Sequence, residues 1–218
     1  MGIELTAPVI YLITNGRATN QTLTSDCERL LALIESAVAA GVSLIQIREK
    51  NLNARALYEL TRRAAQLTRK SPTKLLVNDR ADIARSAGAD GVHLTSRSLN
   101  TQVVRSIFGI DFLIGVSTHT LDEARAARDN GGDFAVFGPV FETPSKMEFG
   151  PMWGADTLRD VAGELSPFLI IALGGITQMN ATAAFSAGAG GIAAIRAFSH
   201  PENLVAVVNS FRSAAVMH

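Results

Sequence analysis

Short apolar runs recur along the whole chain, and polar residues close each one. They predict strands over Val9–Ile13, Ser43–Ile47, Lys74–Val77, Gly91–His93, Phe112–Val116, Phe134–Phe137, Leu169–Ala172 and Gly191–Ile195. Between them lie stretches of helical periodicity, such as Asp26–Ala40, Ala54–Lys70 and Asp122–Asp129. Strand alternating with helix eight times is the pattern of a parallel (β/α)8 TIM barrel with outer helices, here one α/β domain spanning the chain. An internal echo supports it. Ala39-Ala40-Gly41-Val42, Ser86-Ala87-Gly88-Ala89 and Ser186-Ala187-Gly188-Ala189 share one shape, with Asp129-Asn130-Gly131-Gly132 a looser copy. Each reads as a helix ending at a left-handed glycine before the next strand.

In such a barrel the loops after the strands form the active face, so the chemistry is sought where each apolar run ends. Gln46-Ile47-Arg48-Glu49-Lys50 places Gln46, Arg48 and Lys50 on one face by the two-residue period. A guanidinium beside an ammonium calls for an anion between them: arginine offers a planar fork to phosphate oxygens, lysine a mobile point charge. The third run ends in Asn78-Asp79-Arg80, which adds a carboxylate. The two ends together suggest a phosphorylated substrate and leave metal chelation open. Further strand ends contribute His93, Ser117-Thr118-His119, Thr143-Pro144-Ser145-Lys146, Gly174-Gly175 and Ile195-Arg196. Taken singly, His93 reads as a satisfied core imidazole, Ser117 as a helix cap and Gly174-Gly175 as a turn. Together, after consecutive barrel strands, they form a constellation.

Composition narrows the partners. The 218 residues hold 20 basic and 20 acidic side chains, a formal net charge of zero. That balance lacks the basic footprint of a nucleic-acid binder and suits a small anionic ligand. Cys27 is the only cysteine, which excludes an intramolecular disulfide and a cysteine-rich metal site. The absence of a leader-like start or a bilayer-length apolar run leads us to expect a cytoplasmic protein without membrane contact. The longest irregular stretch, Pro139–Gly154, invites reading as a substrate loop, with Trp153 as its packed anchor.

The sequence resembles the thiamine phosphate synthase family nearly end to end. The likeness is carried by Gln46-Ile47-Arg48-Glu49-Lys50, Asn78-Asp79-Arg80-Ala81-Asp82, Gly88-Ala89-Asp90-Gly91-Val92-His93-Leu94, Gly115-Val116-Ser117-Thr118-His119-Thr120, Gly138-Pro139-Val140-Phe141 with Lys146, and Ala172-Leu173-Gly174-Gly175-Ile176. The resemblance implies coupling of an aminopyrimidine methyl diphosphate to a hydroxyethylthiazole phosphate, with release of pyrophosphate and Mg²⁺ as cofactor. It implies that Gln46 orients the pyrimidine, that Arg48, Lys50, Asn78, Ser117 and Lys146 bind diphosphate, and that Asp79 holds Mg²⁺. It places the thiazole phosphate on backbone amides around Gly175 and Ile195, beside Gly174 and Arg196, with Thr143 and Ser145 lining the same ligand. It also implies a homodimer.

The chain departs from that pattern in three places. Ser98 stands where the synthases carry a second metal-binding aspartate, and Arg196 where they commonly carry serine. The run Val140-Phe141-Glu142-Thr143 and the Ser96-x-Ser98 spacing resemble a sister family of thiazole tautomerases, which need neither diphosphate nor metal. Their catalytic histidine falls at Pro139, which cannot transfer a proton, so that reading needs His119 or His93 in its place. A synthase, a tautomerase-like isomerase and a non-catalytic thiazole-phosphate binder are therefore the readings to separate.

Overall fold

The computed structural model describes residues 5–142 and 153–216. Eight parallel strands close into a barrel in chain order. They are β1 (Val9–Ile13), β2 (Leu44–Ile47), β3 (Lys74–Asn78), β4 (Gly91–Leu94), β5 (Leu113–Thr118), β6 (Phe134–Phe137), β7 (Leu169–Leu173) and β8 (Gly191–Ala194). The alternating helices are α1 (Leu23–Ala39), α2 (Ala54–Thr68), α3 (Ala81–Ala87), α4 (Thr101–Phe108), α5 (Leu121–Asp129), α6 (Gly154–Leu165), α7 (Ala181–Ser186) and α8 (Leu204–Val216). Two 3₁₀ turns, Arg196–Phe198 and Pro201–Asn203, precede α8.

The strands are apolar on both faces because both faces are covered. Val9, Tyr11 and Ile13 join Leu44, Leu76, Leu113, Phe134, Val136 and Ile171 in a cluster that fills the barrel. The opposite face, with Ile10, Leu12, Ile45 and Val77, packs against helix residues such as Ile34, Leu57 and Leu60. Interior packing is tight near β5. A Cβ on Gly115 would sit 2.4 Å from the Phe134 ring and 2.9 Å from His93 Nδ1. Glycine there makes room for both rings.

The four glycines expected to end helices in left-handed backbone do so: Gly41, Gly88, Gly131 and Gly188 have φ of 75, 79, 85 and 87°. Strand limits differ from expectation at functionally relevant points. β3 extends to Asn78 and β5 to Thr118, so Asn78 and Ser117 are strand residues rather than loop residues. β2 stops at Ile47, which corrects the expectation that Gln46, Arg48 and Lys50 share one strand face. Gln46 is buried inside the barrel, Arg48 is half-buried beyond the strand, and Lys50 is exposed in the turn toward α2.

Candidate active site at the carboxyl ends of the strands

The polar residues that end or interrupt β1 to β5 form one hydrogen-bonded row across the barrel. Gln46 Nε2 donates to Asn78 Oδ1 at 3.1 Å, and Gln46 Oε1 accepts from the Tyr11 hydroxyl at 3.3 Å. The Tyr11 oxygen lies 3.2 Å from His93 Nδ1, and His93 Nε2 lies 2.8 Å from Ser117 Oγ. The strand register aligns these groups: Ile13 pairs with Gln46, Asn78 with His93, and His93 with Gly115, two residues before Ser117. Burial, then the nearby Arg48 charge, lowers the His93 pKa to about 3, so the ring is neutral at physiological pH. His93 is the satisfied core imidazole of the simplest reading, and it also bears on Ser117. Ser117 caps no helix; Thr120 caps α5, accepting from Glu123 N–H at 3.2 Å.

Beside this row lies a cationic rim. Lys50 has its pKa lowered, first by partial desolvation and then by Arg48 and Arg97, with Asp79 opposing. Arg48, Arg97 and Asp79 are thus each within electrostatic reach of Lys50. Arg48 is steered by the loop after β1: its N–H donates to Thr14 Oγ1 at 2.8 Å, and a Cβ on Gly16 would come 3.0 Å from its Nη1. Asp79 has φ 66°, the only positive φ on a non-glycine among the described residues. Its N–H donates to His93 O at 2.9 Å, prolonging the β3–β4 ladder by one step. Left-handed backbone at a residue with a Cβ costs about 1–2 kcal/mol, and here it fixes where the carboxylate leaves the chain. Arg80 does not join the rim; it pairs with Asp82 through two hydrogen bonds, at 2.8 and 2.5 Å.

On the opposite side, the ends of β7 and β8 border a cavity of about 520 Å³. Gly174, Gly175, Ile195 and Arg196 line it, with Pro139 and Glu142 from the β6 loop. Gly174 and Gly175 take φ of 102 and 65°. A Cβ on Gly175 would lie 2.4 Å from Glu142 O, so only glycine permits this close approach of the two loops. Trp153 anchors as expected: its ring tilts against Phe137 at 6.4 Å and its N–H donates to Pro139 O at 3.1 Å.

Ser98 is engaged within its own loop. Its Oγ accepts from Thr95 N–H at 2.8 Å and lies 3.2 Å from Thr95 Oγ1. Thr143, Ser145 and Lys146 lie outside the described residues. Two residues gain roles that sequence reasoning missed. Tyr11 links Gln46 to His93, and its one signal was a lone polar tip in an aliphatic strand. Glu49, 2% exposed, accepts from Gly16 N–H at 3.1 Å and Ala18 N–H at 2.9 Å, tying the β1 loop to the β2 loop.

Fold and site together define a (β/α)8 barrel whose cations, carboxylate and buried polar row gather at the carboxyl ends of its strands. The family model described as thiamine monophosphate synthase matches residues 10–198, and the chain belongs to that family. It is 36% identical over 209 residues to a thiamine-phosphate synthase of Haloarcula marismortui, covering 94% of this chain and 95% of that one. It is 38% identical over 182 residues to a thiamine-phosphate synthase of Moorella thermoacetica, covering 84% and 86% of the two chains. Among solved structures, thiamine phosphate pyrophosphorylase from Pyrococcus furiosus superposes with a TM-score of 0.77 at 30% identity, covering 96% of each chain.

Proposed function

We infer that this chain is a thiamine-phosphate synthase, a transferase that joins an aminopyrimidine methyl diphosphate to a hydroxyethylthiazole phosphate and releases pyrophosphate. The observation that carries the reading is the convergence of Arg48, Arg97 and Asp79 on Lys50, beside the Gln46–Asn78 pair. Such a rim is relieved by an anion. We assign the thiazole phosphate to the cavity lined by Gly174, Gly175 and Ile195, which offers it room beside backbone amides.

The chemistry asks little beyond charge stabilisation. The bond from the pyrimidine methylene carbon to the diphosphate oxygen breaks, and its electron pair leaves with pyrophosphate. The thiazole nitrogen then donates its lone pair to the methylene cation, forming the new C–N bond; no proton is transferred. Arg48 and Lys50 face the charge that grows on the leaving group, where one well-placed donor is worth about 10²–10³ in rate. Gln46 holds the pyrimidine, and Asn78 and Ser117 meet the diphosphate. Lys146, Thr143 and Ser145 complete this reading on family resemblance alone.

The donor set fits Mg²⁺ in its usual manner, one or two carboxylates completed by substrate phosphates and water. Asp79 is the carboxylate, exposed at the strand end; Ser98, with its oxygen already accepting from Thr95, is the weaker donor. When bound there, Mg²⁺ neutralises leaving-group charge. Arg97 supplies a fixed positive charge on the same side.

Among the described residues the histidines that the isomerase reading needs are otherwise engaged. Pro139 occupies the position of its histidine, His119 gives its Nδ1–H to Gly138 O at 2.5 Å, and His93 is held neutral between Tyr11 and Ser117. Among the described residues no helix is long and apolar enough to cross a membrane. A homodimer belongs to the proposal on family resemblance, and a cytoplasmic location on the sequence pattern. The test is product formation: the purified protein with both substrates yields thiamine phosphate and pyrophosphate when Mg²⁺ is present. Folded protein that binds thiazole phosphate and forms neither product would contradict the assignment.

A further inference from the structure

The row Asn78–Gln46–Tyr11–His93–Ser117 has a property that none of its members has alone: it is directional. A neutral imidazole carries one N–H and a phenol one O–H, so each link fixes the next. With Gln46 Oε1 facing Tyr11, the phenol donates to the amide. Its oxygen then accepts Nδ1–H from His93, Nε2 is left as an acceptor, and Ser117 must donate inward to it. In this sense Ser117 shows only lone pairs to the active site, where an anion needs a donor.

Reversal is possible without moving a heavy atom far. Gln46 turns its amide over and donates to the Tyr11 oxygen, and Tyr11 donates to Nδ1. His93 then carries its proton on Nε2 and donates to Ser117, whose O–H is free to point at the anion. Asn78 turns with Gln46 and donates to its Oε1. The exchange passes through water while the row is briefly open: the Nδ1 proton leaves to water and Nε2 takes one from water, so the ring stays neutral and each hydroxyl keeps its one proton. Burial keeps the alternatives few: Tyr11, Gln46 and His93 are each 2% exposed or less, and no buried side-chain polar atom is unpartnered among the described residues.

We propose that Tyr11 and His93 are positioning residues that carry this directional chain, and that an anion bound at Ser117 reverses it, moving the His93 proton from Nδ1 to Nε2. The proposal rests on the placement of diphosphate at Ser117. It couples the two halves of one substrate: the amide that meets the pyrimidine is set by whether the hydroxyl at the other end is donating to diphosphate.

The test is nitrogen-15 NMR of the His93 ring, with inorganic pyrophosphate and Mg²⁺ as the probe and calorimetry reporting binding separately. Free protein is expected to show a protonated Nδ1, and the pyrophosphate-bound protein a protonated Nε2. Ser117→Ala is expected to weaken pyrophosphate about tenfold and to abolish the exchange. Tyr11→Phe keeps the ring that packs edge-on to Phe134 at 5.8 Å and is expected to show both tautomers before any anion is added. Pyrophosphate that binds and depends on Ser117 while Nδ1 stays protonated would overturn the relay and leave the diphosphate site standing. No binding, or binding indifferent to Ser117→Ala, would overturn the diphosphate site and the relay with it. A free Tyr11→Phe protein protonated only on Nδ1 would show that Tyr11 does not set the direction.

Discussion

The Glu49 carboxylate accepts the backbone N–H of Ala18 at 2.9 Å, and its other oxygen accepts that of Gly16 at 3.1 Å. A residue between two cations of the diphosphate rim is thus turned away from the substrate and closes the loop that steers Arg48. Glu49→Gln keeps the shape but leaves one buried N–H facing an amide donor. It is expected to cost about 1–3 kcal/mol of stability, read by urea unfolding, and to raise KM for the pyrimidine diphosphate more than it lowers kcat. An unchanged KM would show that the loop does not position Arg48.

His93 gives the fold a pH dependence of definite sign. The folded ring stays neutral down to about pH 3, whereas the unfolded ring protonates near its ordinary value of 6.5. Between those limits the unfolded state binds more protons, so stability falls as pH drops from 6.5 toward 3 and is untouched above that window. Urea unfolding of the protein and of His93→Asn across this range is expected to give the shallower slope for the variant. Equal slopes would mean that His93 titrates normally.

Much of the fold is legible in the sequence because strands covered on both faces stand out as unbroken apolar runs. The glycines at 41, 88, 131 and 188 mark where helices end, since left-handed backbone favours glycine over all else. The site is legible only to the strand ends. Whether Asn78 and Ser117 are loop or barrel residues depends on register, which is set by pairing between strands far apart in the chain. The Tyr11–His93 link spans 82 residues, and no local pattern announces it. Glu49 carries the same lesson: it lies beyond the end of β2, and only the packed loops show what it holds.

Ser98 tests the metal side of the account. Its oxygen accepts from Thr95 N–H, a bond one oxygen of an aspartate can keep while the other turns outward. Ser98→Asp is expected to tighten Mg²⁺ binding and to raise turnover at limiting Mg²⁺. No change at limiting metal would place position 98 out of the ion's reach.

The most direct test is Asp79. Its carboxylate opposes Arg48 and Arg97 in acting on Lys50, and its backbone is held at φ 66°. Coupling of the two substrates should be measured across a Mg²⁺ titration in Asp79→Ala and Asp79→Gly, with thiazole phosphate affinity and urea stability measured in the same preparations. Both variants are expected to lose Mg²⁺-dependent turnover and to bind thiazole phosphate nearly as before, with glycine the more stable of the two by about 1 kcal/mol. Undiminished turnover in either variant would contradict the claim that this strand end is where the diphosphate and its metal are held.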